Sequence, residues 1–327
     1  MVLQYELTNI HTKMLYTRIF YGEYYSHSLR ILKNLFGGVN LKESNNKLDL
    51  YLKNCCVSCV SAKKNAGKDT DVALVTNLDV PEKYGKILKQ AGVKTLKYDF
   101  DHFNFNGTYD WALAFYKLNA LYHAVKELDY DNFAYLDSDV YVQGDFSDIW
   151  KECSKKILMY DICHGLQVED YKRFLKETTD FLGCDSLGLT HYGGEFFAAS
   201  RENAQAFVAE CISVYDEIMQ KSFQTSMGDE FISSLAAARI ADKVRNAGAY
   251  IYRFWTRRFH LMSTNYEYNP VAVLHVPQEK DFGMLKIFDR YVVHDKLPNK
   301  RKVWQLLHLS HTDWKIALYL KLQALKG

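Results

Sequence analysis

Residues 132–142 read Asn-Phe-Ala-Tyr-Leu-Asp-Ser-Asp-Val-Tyr-Val, an apolar run broken by two carboxylates one residue apart. Alternate residues of a strand point the same way. Asp137 and Asp139, at the end of a buried strand, can therefore present two hard oxygen ligands to one divalent cation. A cation held there can clamp a diphosphate.

Spacing alone does not single this pair out, because Asp-x-Asp also occurs at Asp69/Asp71, Asp99/Asp101 and Asp129/Asp131. Context does. Phe133, Ala134, Tyr135 and Leu136 lead in, and Val140, Tyr141 and Val142 follow before a turn at Gln143-Gly144-Asp145. Asp69/Asp71 lies in a polar loop and Asp129/Asp131 in a helix-to-strand turn. Asp99/Asp101, after the strand-like residues 93–98, is the nearest competitor.

The elements needed to position such a site follow from periodicity. Residues 14–20 read as a first strand and 24–36 as a helix. Residues 71–76 form a second strand, with a helix opening at Pro81, and 93–98 a third. A long helical pattern spans 108–127, ahead of the strand that ends at Asp137. Beyond it lie a helix over 168–182, a strand over 195–199, and helices over 201–219 and 229–239. Strands alternating with helices imply a mainly parallel sheet, and such sheets bind ligands beyond the carboxyl ends of their strands. Asp137 falls at such an end.

Composition bounds the rest. The chain has 327 residues, 48% hydrophobic and 15% aromatic, enough for a large core and unlike a disordered chain. A formal net charge of +2 gives no overall case for nucleic acid. With no basic-then-apolar leader and no run of about eighteen apolar residues, the expectation is a cytosolic protein that does not span a membrane. Cys55, Cys56 and Cys59 share a helical stripe with Leu48, Tyr51, Leu52 and Val60, which makes them core residues rather than zinc ligands. An odd total of seven cysteines fits a reducing compartment. Positive charge gathers at the end of the chain, where Lys296, Lys300, Arg301, Lys302, Lys315, Lys321 and Lys326 interleave with Trp304, Trp314 and Tyr319. This tail reads either as a helix packed on the domain or as a peripheral anchor on anionic membrane.

Over residues 12–280 the chain resembles the retaining nucleotide-sugar transferases of the GT-A fold, most of all glycosyltransferase family eight. Phe115-Tyr116-Lys117-Leu118 is similar to the family's Thr-Lys-Leu block. Tyr135-Leu136-Asp137-Ser138-Asp139-Val140 is similar to its metal motif, continued by Phe146-Ser147-Asp148-Ile149-Trp150. Tyr192-Gly193-Gly194-Glu195-Phe196-Phe197 stands in place of its Asn-Ser-Gly-Val-Phe segment. Gly228-Asp229-Glu230 resembles its Gly-Asp-Gln element, and Val273-Leu274-His275-Val276-Pro277 its metal-histidine strand, with Lys280 one position earlier than the family's lysine.

The resemblance implies a single α/β domain over 1–280, Rossmann-like with helices flanking a mainly parallel sheet, and a basic-aromatic helical tail over 281–327. It implies Asp137, Asp139 and His275 as ligands to Mn²⁺ or Mg²⁺, and contacts to a UDP-sugar from Lys117, Asp137, Ser138, Asp139, Gly194 and Lys280. Asp229, Glu195 and Glu230 become the candidate catalytic carboxylates. The expected reaction moves a hexose, galactose or glucose, onto a glycan or glycoconjugate acceptor. Two other readings compete: a haloacid-dehalogenase-type phosphatase, with Asp137 as nucleophile and Asp139 as acid, and a transferase-like scaffold without catalysis.

Overall fold

The computed structural model describes residues 2–6, 41–105, 111–186, 188–256, 271–310 and 322. The strand expected over 14–20 and the helix over 24–36 lie outside the described residues, as does the tail from 311 onward apart from Leu322.

Strands Val72–Thr76 (β2), Asn132–Leu136 (β4) and Tyr192–Ser200 (β7) are nearly continuous apolar runs buried on both faces. Alternation sends their side chains into two cores. Leu74, Leu136 and Phe196 pack on one side of the sheet, whereas Val75, Tyr135 and Phe197 pack on the other. On the first side lies helix α1 (Leu41–Asn65), whose Cys55, Cys56 and Cys59 are buried core side chains, as their spacing predicted. On the second lie α3 (Tyr116–Glu127), α6 (Arg201–Lys221) and α7 (Asp229–Arg239). Truncating Phe197 to Ala would cost about 3–5 kcal/mol.

With β1 (Val2–Glu6), β3 (Lys94–Lys97), β6 (Ile157–Asp161) and β8 (Val244–Asn246), these strands form one seven-stranded sheet in the order β3-β2-β1-β4-β7-β6-β8. Four of its six ladders are parallel and the two made by β7 are antiparallel. The strand between β2 and β4 is thus Val2–Glu6, a segment to which the sequence pattern assigned nothing. Gln4 and Glu6 break its apolar run, while the backbone pairing depends on neither.

After β4 the chain leaves this sheet at Asp137 and enters a second one, β5 (Val140–Val142), β10 (Val273–His275) and β9 (Ile251–Arg253). Helix α1 grips the switch. Ser61 Oγ accepts from Val142 N at 3.0 Å, and Asn65 Nδ2 donates to Val142 O at 2.9 Å. Helices α8 (Gly283–His294) and α9 (Lys300–Leu306) fold back onto the α1 side, where Met284, Ile287, Val303 and Leu307 join the first core. No helix among the described residues is long and apolar enough to cross a membrane.

Candidate active site

Backbone pairing brings the site together. The antiparallel register of β7 on β4 sets Phe196 opposite Leu136 and carries on through Asp137 N, which donates to Glu195 O at 3.2 Å. In the second sheet β10 pairs with β5 so that His275 faces Val140, and Val276 N donates to Asp139 O at 3.0 Å. Parallel pairing of β9 with β10 puts Arg253 beside His275. Residues far apart in sequence thus meet around the turn 137–139.

One carboxylate oxygen each of Asp137 and Asp139 and one ring nitrogen of His275 lie within 4.8 Å of one another. Asp139 and His275 are buried, and Asp137 is partly open. His275 Nε2 stands 3.3 Å from Asp139 Oδ2, and Lys280 Nζ stands 3.0 Å from the same oxygen. Burial pushes the Asp139 carboxyl up, but Lys280 and His275 override it and hold it far below the usual range. For His275, burial disfavours the charged ring, yet Asp139 and Glu195 outweigh it and raise it to about 9. Oxygen and imidazole donors beside a buried carboxylate that already needs cationic compensation fit a divalent ion.

Behind this cluster, Glu195 is fully buried. Arg253 Nε and Nη2 each donate to its carboxylate at 2.7 Å, and His275 Nδ1 lies 3.1 Å from Oε1. Both oxygens are occupied. Glu195 therefore sits behind His275 as the group that orients the imidazole, and not as a carboxylate facing a substrate. Burial raises its pKa, but Arg253 and His275 hold it well below the ordinary carboxylate range.

On the other flank, Lys117 in the first turn of α3 is buried. Its Nζ donates to Gly194 O at 3.0 Å and pairs with Asp229 Oδ2 at 2.9 Å and Asp137 Oδ1 at 3.5 Å. Burial lowers its pKa, but Asp137 and Asp229 more than reverse this, so it stays charged. Asp229 opens α7. Its own burial dominates, Lys117 pulls against it, and Glu230 and Asp137 add repulsion, leaving the carboxyl at about 7. Glu230 Oε2 is 3.1 Å from His191 Nε2, and Arg253 Nη2 lies 3.6 Å from Oε1. Side-chain exposures of 24% for Glu230, 4% for Asp229 and 0% for Glu195 leave Glu230 the most accessible of the three candidate carboxylates.

Gly194 is required by this packing. A Cβ there would stand 2.3 Å from both Lys117 Nζ and Asp229 Oδ2, and one on Gly193 would stand 1.9 Å from Glu195 Oε2. Gly228, before α7, adopts φ +66, which favours glycine, and a Cβ there would meet Trp111.

The structure thus brings together Lys117, Asp137, Ser138, Asp139, Gly194, Glu195, Asp229, Glu230, His275 and Lys280. Sequence reasoning missed Arg253 and His191. The signal for Arg253 was a lone cation within the short apolar stretch Ile251-Tyr252-Arg253-Phe254. His191, fully buried and stacked on Phe174 at 4.7 Å, carried none.

A mixed sheet with this crossover into a second sheet, and a carboxylate pair at the switch, defines the chain as a GT-A-type α/β fold. The galactosyltransferase LgtC, solved with donor and acceptor sugar analogs, aligns over 79% of this chain and 96% of its own with a TM-score of 0.50 at 15% identity. An active-site mutant of LgtC gives the same values. Mouse xyloside xylosyltransferase 1 in its apo form aligns over 71% of this chain and 93% of its own at 10% identity, with a TM-score of 0.47. No protein-family model and no curated protein sequence matches the chain. The expectation of a GT-A fold is met.

Proposed function

We propose that this protein is a metal-dependent retaining glycosyltransferase that moves a hexose, galactose or glucose, from a UDP-sugar to a glycan or glycoconjugate acceptor. The observation that carries the reading is the convergence of Asp137, Asp139 and His275, flanked by Lys117, beyond the carboxyl end of β4. That is where an α/β sheet of this kind receives a nucleotide. Asp137, Asp139 and His275 would hold Mn²⁺ or Mg²⁺, and the imidazole favours manganese. When bound, the ion supplies Lewis-acid stabilisation of charge on the departing diphosphate.

The protein's own side chains do the rest. Lys117 and Lys280 place positive charge on either side of the Asp137-Asp139 turn, where leaving-group charge develops. Gly194, lacking a side chain, lets Lys117 and Asp229 close over it and accepts from Lys117 through its carbonyl. Retention requires either attack by a carboxylate or same-face delivery of the acceptor. Greater exposure favours Glu230 over Asp229 and Glu195 for the first route. The protein is proposed to work in the cytoplasm, with the basic-aromatic tail as a peripheral contact to anionic membrane.

The phosphatase alternative needs Asp139 free as an acid, whereas that carboxylate is buried between His275 and Lys280. A donor screen read by diphosphate release tests the proposal. The expected result is slow Mn²⁺-dependent release of UDP from one UDP-hexose, accelerated by acceptor. Release of inorganic phosphate would point to the phosphatase, and no turnover of any donor to the scaffold.

A further inference from the structure

We propose that Asp101, His102 and His123 form a second metal site, selective for zinc or a neighbouring late transition metal and separate from the Asp137 cluster. Nothing in this inference depends on the transfer activity proposed above. Among the described residues only these two clusters bring three such donor groups within 4.8 Å of one another. This one carries two imidazoles and one carboxylate, a set that suits zinc, cobalt, nickel and copper better than magnesium or calcium.

The donors face one another at close range. Asp101 Oδ1 lies 2.8 Å from His123 Nε2 and 2.9 Å from His102 Nδ1. Donors around a tetrahedral zinc stand about 3.3 Å apart, given bond lengths of roughly 2.0–2.1 Å. Both Asp101 contacts are shorter than that, so Asp101, with 49% of its side chain exposed, must draw back from the rings to admit an ion. Solvent can then complete the coordination.

Two observations argue for a cation beyond a surface ion pair. His102 Nδ1 is shielded from solvent and makes no hydrogen bond of acceptable geometry, although a carboxylate oxygen lies within reach. With Nδ1 unprotonated, that 2.9 Å contact with the carboxylate is repulsive unless a cation is shared between them. His123 Nδ1, meanwhile, lies 2.9 Å from Glu127 Oε1, one helical turn further along α3. With the proton on Nδ1, that bond leaves the Nε2 lone pair facing Asp101 and open to a cation, the arrangement by which an outer carboxylate prepares a histidine ligand.

The surroundings hold both rings in place. His102 stacks on Tyr122 at 4.0 Å, and His123 stacks on Tyr98 at 4.9 Å. The loop is tied to α3 because fully buried Asn119 accepts from His102 N at 2.9 Å and donates to Asp99 O at 2.8 Å. Ligands fixed by packing and by an outer hydrogen bond lose little freedom on binding. A metal here would staple residues 99–102 to the helix whose first turn carries Lys117. Of the two Asp-x-Asp pairs that follow strands, Asp99/Asp101 thus contributes one carboxylate, and its imidazole partners are His102 and, on α3, His123.

The competing reading is an imidazolium at His123 bridging Asp101 and Glu127, with no metal. The test is titration of the full chain with Co²⁺ followed by its visible absorption, and with Zn²⁺ by calorimetry, in wild type, Asp139→Asn, His102→Ala, Asp101→Asn and Glu127→Gln. One tight event is expected to survive in Asp139→Asn, which keeps it distinct from the Asp137 site. It should weaken at least 100-fold in His102→Ala and Asp101→Asn, and about 10-fold in Glu127→Gln. In the Asp139→Asn background Zn²⁺ should raise the melting temperature, and adding His102→Ala should abolish that rise. Loss of all tight binding in Asp139→Asn, or unchanged affinity in both His102→Ala and Asp101→Asn, would overturn the proposal. His102 and Asp101 are partly exposed, so their variants fold even if a change at His123 does not.

Discussion

His275 bridges two carboxylates: its Nδ1 lies 3.1 Å from Glu195 Oε1 and its Nε2 lies 3.3 Å from Asp139 Oδ2. Glu195 is itself clamped by Arg253 through two 2.7 Å bonds. The imidazole is therefore aimed at Asp139 by a relay that begins on β9, and the edge proposed to bind metal is set from behind.

Glu195→Gln keeps the shape of that relay and removes its charge. Loss of an outer partner of a ligating histidine lowers metal affinity about 10- to 100-fold. Calorimetric titration with Mn²⁺ should show that loss, with the fold retained. Unchanged affinity would mean that His275 needs no orienting carboxylate.

Gly194→Ala tests whether Lys117 and Asp229 must meet over the glycine. The added methyl would overlap both polar atoms and drive them apart. Displacement of about 1 Å at a reacting site costs roughly 100-fold in rate. Steady-state kinetics should show kcat reduced by about that factor with the far-ultraviolet spectrum preserved; kcat within twofold of wild type would show that the close approach is dispensable.

The pH dependence of metal binding follows from His275. Its folded pKa of about 9 is above the ordinary 6.5, so the stability its cation contributes is full below 6.5 and is lost as pH rises through 9. A metal requires the neutral ring. Mn²⁺ affinity should therefore climb about tenfold per pH unit between 6.5 and 9 and then level off, with one proton released on binding. Calorimetry in buffers of different ionisation heat reads that proton directly, and affinity independent of pH between 7 and 9 would contradict it.

Asp229 gives a trend of the opposite origin. Its carboxyl rests at about 7, above the ordinary 3.8, so the folded state holds a proton that the unfolded chain releases. Stability from this group is lost as pH rises from about 4 to 7. In Asp229→Asn, without divalent metal, the melting temperature relative to wild type should climb across that window and be flat on either side. A constant difference from pH 4 to 8 would show that Asp229 is ionised throughout.

Much of this was legible before any coordinates. Asp137 and Asp139 stand out because long apolar runs on both sides leave only a strand end for two carboxylates, and α7 begins at Asp229 and ends at Arg239 as the helical pattern required. The second sheet was hidden because β5, β9 and β10 have three residues each, too few for a period to show. For that reason Arg253 escaped notice, and Glu195 read as a candidate acid when its guanidinium partner holds it out of reach. The place of Val2–Glu6 in the sheet was equally hidden, since its pairing on both edges is a backbone property.

The central claim is that Asp137, Asp139 and His275 hold a cation against a nucleoside diphosphate, and crystals grown with MnCl₂ and UDP test it most directly. Data collected at the manganese edge should give an anomalous peak bounded by these three side chains, with the diphosphate in contact and Lys117 alongside. A diphosphate bound elsewhere, or Asp139 still paired to His275 and Lys280 with no peak beside it, would contradict the account.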